Sequence, residues 1–379
     1  MFLKEIYFDN SATTVVCPQA ALKIMEVLTK NYANPSSLHK KGMEAEKELR
    51  KSREIIADKL HCQPREIYFT SGGTEANNLA LFGAARKRRR MGNRIVTTLI
   101  EHSSVLESAK QLEQEGFEVV YLTPDKNGSI PVSSIEEAIN EKTILVSMML
   151  VNNEIGSVLP VELIKKVIKR KKSPALFHVD AVQAFGKLEV NPKKIGADLT
   201  SITAHKIHGP KGVGALYVRS DVKILPLFYG GEQEKKLRPG TEALPLIAGF
   251  SEAVRALPDW KKEYNEIKML YDQCRKRLTE LPGITVHSRE DGFAYILNFS
   301  AKGIRSETML HYLAERGISV SSGSACAKGK KSHVLEGIGL DRSLIDSAIR
   351  VSFSRYNRIE EIPPFVDAVL EGIRSIAKK

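Results

Sequence analysis

"EIYFTSGGTEANNLALFGAARKRRR", residues 66–90, runs from a β-rich apolar stretch through a glycine turn into a helix. Ile67, Tyr68 and Phe69 suit a buried strand, and the spacing predicts a helix over 74–90. Between them lies "SGGT" (71–74), where Gly73 and Thr74 open the helix. Glycine lets a ligand approach the backbone closely, and a helix amino terminus offers free N–H groups and positive potential to a phosphate. The turn lacks the GK[ST] ending of a Walker A loop, and "GPKGVG" (209–214) fails that pattern too. A strand, a glycine turn and a helix in this order form one repeat of an open α/β sheet.

The same alternation extends outward. "RIVTT" (94–98) precedes a helix at about 103–115, and "EVVYL" (118–122) is a further strand. "TILVSMML" (143–150) leads to the helix "PVELIKKVIKRK" (160–171) and then to "ALFHV" (175–179). "DLTSIT" (198–203) and "VGALYV" (213–218) complete the set. Apolar strands alternating with amphipathic helices predict an α/β fold with a mostly parallel sheet covered by helices on both faces. After about residue 255 the texture changes. A charged helix over 259–281 precedes "AYILNF" (294–299), a helix near 306–316, the strand "IRVSF" (349–353) and a final helix over 359–376. This organisation predicts a large domain over 14–255. A smaller α/β domain takes 1–13 and 256–379, with a cleft between the two. The helix near 18–30 is expected to pack on the smaller unit.

Composition narrows the function classes. Of 379 residues, 42% are hydrophobic and 27% charged, as in soluble enzymes. The longest apolar run, "ILVSMMLV" (144–151), is too short to span a bilayer, and "MFLKEIYFDNSATT" has no secretory pattern. A cytoplasmic protein without membrane contact is expected. The formal charge is +12, with basic clusters at 85–94 and 165–172. Both clusters fall at predicted helix ends, where cations oppose the dipole. No aromatic side chains interleave with them, which argues against direct nucleic-acid binding. Cys17, Cys62, Cys274 and Cys326 are widely spaced, which suggests neither a zinc site nor a disulfide framework. Cys326 stands out in "SVSSGSACAKGKKSHV" (319–334), among small and basic residues that favour a thiolate. It is the candidate nucleophile, with Lys328, Lys330 and Lys331 beside it.

Ligands of open α/β sheets bind beyond the carboxyl ends of the strands. At those ends lie His102 in "IEHSS", Asn153 in "NNEIG", Asp180 and Gln183 in "DAVQ", and Lys206 in "AHKIHGPKG". A Schiff-base lysine, an acid for a ring nitrogen and a phosphate cradle are the needs of pyridoxal 5′-phosphate.

The ordered motifs "YFDNSATT", "NPSSLHKKG", "FTSGGTEANN", "EHSSV", "VNNEIG", "HVDAVQ", "AHKIHGPKGVGALYV", "RPGTEA", "SSGSAC" and "AIRVSF" resemble the cysteine desulfurases. Those are class V aminotransferases of pyridoxal-phosphate fold-type I, and the resemblance runs from Tyr7 to about Arg355. It implies that Lys206 carries the cofactor and moves the substrate Cα proton. Asp180 would face the ring nitrogen, Gln183 the phenolic oxygen, and His102 would stack on the ring and serve the thiols. Gly73, Thr74, Thr203 and His205 would hold phosphate, with Thr241 reaching it across a homodimer interface. Asn153, beside the cofactor, and Arg350 would hold the carboxylate of L-cysteine. Cys326 would take up the sulfur as a persulfide, leaving L-alanine. An acceptor protein, either an iron–sulfur cluster scaffold or a tRNA-thiolation enzyme, would then receive it. Only "AKGKK" separates Cys326 from "SHVL" (332–335), a shorter spacer than the "SSGSAC" subgroup usually has. "RPGTEALP" also lacks the asparagine common after this threonine. A selenocysteine lyase, another class V aminotransferase and a basic binding protein are the competing readings. Cys326 in "SSGSAC" speaks against the first two, and the joint presence of Lys206, Asp180 and His102 against the third.

Overall fold

The computed structural model describes residues 5–322 and 332–376. In chain order its strands are β1 (Ile6–Tyr7), β2 (Ile67–Thr70), β3 (Arg94–Thr98), β4 (Glu118–Leu122), β5 (Thr143–Met149) and β6 (Leu176–Asp180). There follow β7 (Leu199–Thr203), β8 (Gly214–Val218), β9 (Ile284–Val286), β10 (Ile296–Ala301), β11 (Ile318–Ser319) and β12 (Ala348–Ser352). Seven of them form one sheet in the order β2-β8-β7-β6-β5-β3-β4. All pairings in it are parallel except those of β8, which runs antiparallel to both β2 and β7. Every residue of β5, β6 and β7 is buried, because helices cover both faces of the sheet. The expected mostly parallel sheet is therefore present, with one reversed strand that the apolar pattern does not reveal.

The first four helices are α1 (Pro18–Thr29), α2 (Lys40–Lys59), α3 (Gly73–Arg88) and α4 (Ser103–Gln114). The expected packing of α1 is overturned. It lies along the helix Leu244–Arg255 and is tied to α2 by Lys23 and Glu48 at 3.0 Å. Gly249 makes the close approach possible, since a Cβ there would meet Ile24 Cγ1 at 2.5 Å. Amphipathic spacing tells which face of a helix is buried and leaves its partner open. Helices also span 40–59, 132–138 and 244–255, where the strand–helix alternation read from the sequence marks none.

A smaller antiparallel sheet, β12-β10-β9, is packed by the helices Trp260–Thr279 and Ile362–Ile376. The amino-terminal strand joins this end of the molecule, because β1 pairs in parallel with β11. Phe8 then packs edge-on against Phe353 and Phe365, at 5.3 and 5.5 Å between ring centres. The basic clusters lie at helix ends as expected. Arg86 pairs with Glu115 at 2.6 Å, and Arg170 pairs with Glu136.

Asp198, fully buried just before β7, joins three elements. Its carboxylate accepts from Lys165 Nζ at 2.9 Å, from Arg219 Nη1 and from the Phe177 N–H at 2.8 Å. Removing it leaves a buried N–H without an acceptor and Lys165 without its counter-charge, while Arg219 is left with Asp221 alone. Asp198→Ala should lower the free energy of unfolding by about 2–4 kcal/mol. In a urea titration the midpoint should fall while the slope stays unchanged.

Candidate active site

Asp180, Lys206 and His102 lie at or just beyond the ends of β6, β7 and β3. Asp180 closes β6 and is buried. Its Oδ1 accepts the Val182 N–H at 3.0 Å, and its Oδ2 accepts Asn77 Nδ2 at 2.7 Å. Asn77 lies one turn into α3, so the glycine-started helix also orients the acid. Its amide nitrogen reaches Ser104 Oγ at 2.9 Å as well, while its Oδ1 is buried with no partner among the described residues.

Lys206 ends the 3₁₀ turn that follows β7. Its ammonium donates to the carbonyls of Ser11 and Ala12, the latter at 2.8 Å. The "NSATT" segment is thus folded over the lysine. Gln183 Nε2 donates to the same Ser11 carbonyl at 3.0 Å, and its Oε1 is buried and unpartnered among the described residues. Lys206 and Gln183 therefore share one acceptor.

His102 caps α4, its Nδ1 accepting the Ser104 N–H at 3.1 Å. In the neutral ring this assigns the proton to Nε2. Burial depresses the imidazole pKa below its ordinary value of 6.5; Asp180 opposes the shift, and Lys206 and His333 add to it. These charges share one electrostatic neighbourhood. Beside it, Glu101 is completely buried and its pKa is pushed up to about 8, chiefly by desolvation. Glu101 Oε1 accepts from Thr98 Oγ1 and from the Met149 N–H, both at 2.9 Å.

The glycine turn sits close against the sheet. A Cβ on Gly73 would meet Val182 Cγ2 at 2.8 Å, and one on Gly72 would lie 3.9 Å from Thr203 Oγ1. Thr74 is exposed in the first turn of α3. Thr203 is buried and its hydroxyl donates to the Val213 carbonyl at 3.2 Å. His205 meets Thr13 Oγ1 at 3.3 Å, and its pKa is pushed down to about 3 by burial and then by Lys206. Thr241 is exposed and, among the described residues, no side-chain hydrogen bond ties it to this group.

Arg350, on β12, is 3% exposed. It donates from Nη1 to the Asn153 carbonyl and pairs from Nη2 with Asp9, each at 2.9 Å, while its Nε is buried without a hydrogen-bond partner among the described residues. Asn153 is therefore joined to Arg350 through its backbone. Cys326 lies outside the described residues. The other three cysteines are poor nucleophiles: Cys17 and Cys274 are buried, and burial pushes the Cys62 thiol up to about 12. The sequence reading missed Asn77, Asn152, Glu101 and Glu154. All four sit inside quoted motifs, Asn77 in "FTSGGTEANN", Glu101 in "IEHSS", and Asn152 and Glu154 in "NNEIG".

The residues present fit pyridoxal phosphate. A held acid, an amine, two unpartnered amide oxygens and a glycine cradle at the start of a 16-residue helix surround one region. The family model for aminotransferase class-V matches residues 6–365. The chain belongs to the class-V aminotransferase family. Within that family, it is 40% identical over 383 residues to cysteine desulfurase IscS of Vibrio vulnificus, with 99% of this chain and 93% of that protein aligned. It is 39% identical to the mitochondrial cysteine desulfurase of Candida albicans, covering 99% of this chain and 78% of the other. Among solved structures, a NifS-like protein superposes with a TM-score of 0.92 at 37% identity, covering 97% of this chain and 99% of its own. The structure titled "SspA in complex with cysteine" does so at 0.82 and 35% identity, covering 94% and 100%.

The electrostatics give a test with opposite signs. In the cofactor-free protein, Asp180→Asn should lower the NMR titration midpoint of His102 further, and Lys206→Ala should raise it. A midpoint that ignores both substitutions would separate His102 from this cluster.

Proposed function

We propose that this chain is a pyridoxal-phosphate-dependent cysteine desulfurase. It takes sulfur from L-cysteine, releases L-alanine and carries the sulfur as a persulfide on Cys326. The observation that carries this reading is the convergence of Lys206, Asp180, Gln183 and His102 at the strand ends of a chain whose full-length relatives bear that name.

Lys206 and Asp180 would hold the cofactor by its aldehyde carbon and ring nitrogen, with Gly73, Thr74, Thr203 and His205 around the phosphate. When bound, pyridoxal phosphate supplies the electron sink that makes the substrate Cα–H acidic and the Cβ–S bond breakable. The remaining work falls to the chain's own side chains. Arg350 has unused N–H groups, including Nε, to offer an α-carboxylate beside Asn153. Lys206 Nζ takes the Cα proton and returns one later. His102, whose Nδ1 is held by the Ser104 N–H and whose neutral ring carries its proton on Nε2, offers that N–H as a donor to thiolate sulfur. The Cys326 thiolate attacks the substrate sulfur. An S–S bond forms, the Cβ–S bond breaks, and its electron pair stays with the alanine carbon skeleton, which is then protonated. Neither Cys62 nor Cys274 competes, because burial raises both thiol pKa values.

A homodimer belongs to this reading. Exposed apolar side chains gather on α1 and α2 and the segment between them, with Leu22, Met25, Leu38 and Met43 facing outward and Leu38 95% exposed. A patch of this kind suits a second copy, which would bring Thr241 to the partner's phosphate site. The sulfur acceptor is an acceptor protein, a cluster scaffold or a tRNA-thiolation enzyme, and the site is cytoplasmic. Among the described residues, no helix is long and apolar enough to cross a membrane.

Purified protein given L-cysteine and a reductant should release alanine and sulfide in equal amounts. Cys326→Ala should keep the visible cofactor band and its response to cysteine yet form no persulfide. Alanine and sulfide release at the wild-type rate from that variant would overturn the assignment. Lys206→Ala should lose the visible band given by the lysine-bound cofactor.

A further inference from the structure

The turn "NNEIG" does more than present Asn153. Asn152 is fully buried, and its Oδ1 accepts the N–H groups of Glu154 and Ile155 at 2.9 and 3.0 Å. Its Nδ2 donates to the Ile100 carbonyl at 2.8 Å, locking the turn to the loop that leads to His102. The Glu154 carbonyl accepts Asn298 Nδ2 at 3.2 Å, which fixes the turn to β10 as well. A turn held at so many points places the Glu154 side chain rigidly. That side chain is 4% exposed, and its Oε2 accepts a hydrogen bond from Ser332 Oγ.

Ser332 is itself buried and caps the short helix His333–Gly337, its Oγ accepting the Leu335 N–H at 3.1 Å. One residue on, His333 Nε2 meets the Glu101 carbonyl at 2.9 Å. Ser332 is six residues after Cys326 in the sequence. Six residues span at most about 20 Å when fully extended, so where residue 332 is held bounds where the thiol can act. On the other side of Cys326, Ser321 exchanges backbone hydrogen bonds with Arg350, N to O at 3.1 Å and O to N at 2.6 Å. Arg350 in turn donates to the Asn153 carbonyl. Both flanks of the cysteine segment are therefore fastened beside the proposed carboxylate site, one to Arg350 and the other, through Glu154, to the turn that presents Asn153.

We propose that Glu154 is a positioning residue for sulfur transfer: through Ser332 it fixes the carboxyl-terminal root of the cysteine segment relative to Arg350. It touches neither substrate nor cofactor in this role. A buried carboxylate is costly to keep, and desolvation pushes the Glu154 pKa up to about 7, against the pull of Ser332 and Arg350. A residue serving only to fill space would be better apolar. The carboxyl group is retained where it accepts the capping serine's hydroxyl, and Gln would meet that need equally well. This inference rests on the desulfurase reading.

The experiment measures persulfide on Cys326 by mass after a single addition of L-cysteine to the cofactor-loaded protein, alongside the cofactor's spectral response to cysteine. Glu154→Ala and Ser332→Ala should slow persulfide formation at least about tenfold while the spectral response stays within about twofold of wild type. Glu154→Gln and Ser332→Thr, which keep the acceptor and the hydroxyl, should restore the rate. Ser332→Ala provides the test should Glu154→Ala misfold. Persulfide formation at the wild-type rate in the Ala variants would overturn the proposal, as would a spectral response lost in step with the rate. A wild-type protein that forms no persulfide would instead sink the desulfurase reading itself.

Discussion

A carboxylate buried at the end of a central parallel strand is the constraint on which the rest of this molecule depends. Asp180 is removed from water, so its charge has to be met by oriented donors. The Val182 N–H comes from the turn immediately after the strand, and the Asn77 amide comes from α3. Meeting the second demand fixes α3 over the sheet, which in turn carries the glycine turn to Val182 and Thr203. Asn77 also bonds Ser104, the residue that receives the His102 ring. One buried charge thereby sets the relative positions of the acid, the imidazole and the helix amino terminus.

The second organising element is the covering of the strand ends by chain from elsewhere. Residues 11 and 12 lie over Lys206 and Gln183, and Asp9 pairs with Arg350. Since β1 pairs with β11, this amino-terminal segment is anchored beside the smaller sheet while its carbonyls serve the larger one. Arg350 extends the link, coming from β12 and donating to the turn after β5. A site built from both sheets in this way is preorganised by backbone contacts on rigid elements.

Much of this was legible in the sequence. The strand ends at Asp180, Lys206 and His102 could be read because each follows a short apolar run whose register brings the next polar residue to the same edge. Asn77 could not be read, since its partner Asp180 lies 103 residues away and nothing local marks an asparagine inside a helix as a clamp. Glu154 was hidden by its neighbour, as "NNEIG" drew notice for Asn153 while the side chain that reaches Ser332 is the next residue. The packing of α1 failed for a related reason. Its own residues do not name its partner, which depended on Gly249, whose missing side chain is informative only once the two helices are seen together. The reversed direction of β8 is equally silent, because a strand buried on both faces shows the same apolar run either way up.

The burial of the other cysteines bears on where sulfur can go. A persulfide is itself an electrophile toward thiolates, and a protein that carries one risks passing it to its own side chains. Cys17 and Cys274 are sealed from solvent, and Cys62 is held strongly toward the protonated form. Two are closed off by burial and the third is held as a thiol, so none is placed to receive the outer sulfur. On the proposed reaction, the chain is insulated against internal leakage, and a sulfur atom once loaded has only an external acceptor or a reductant to leave for.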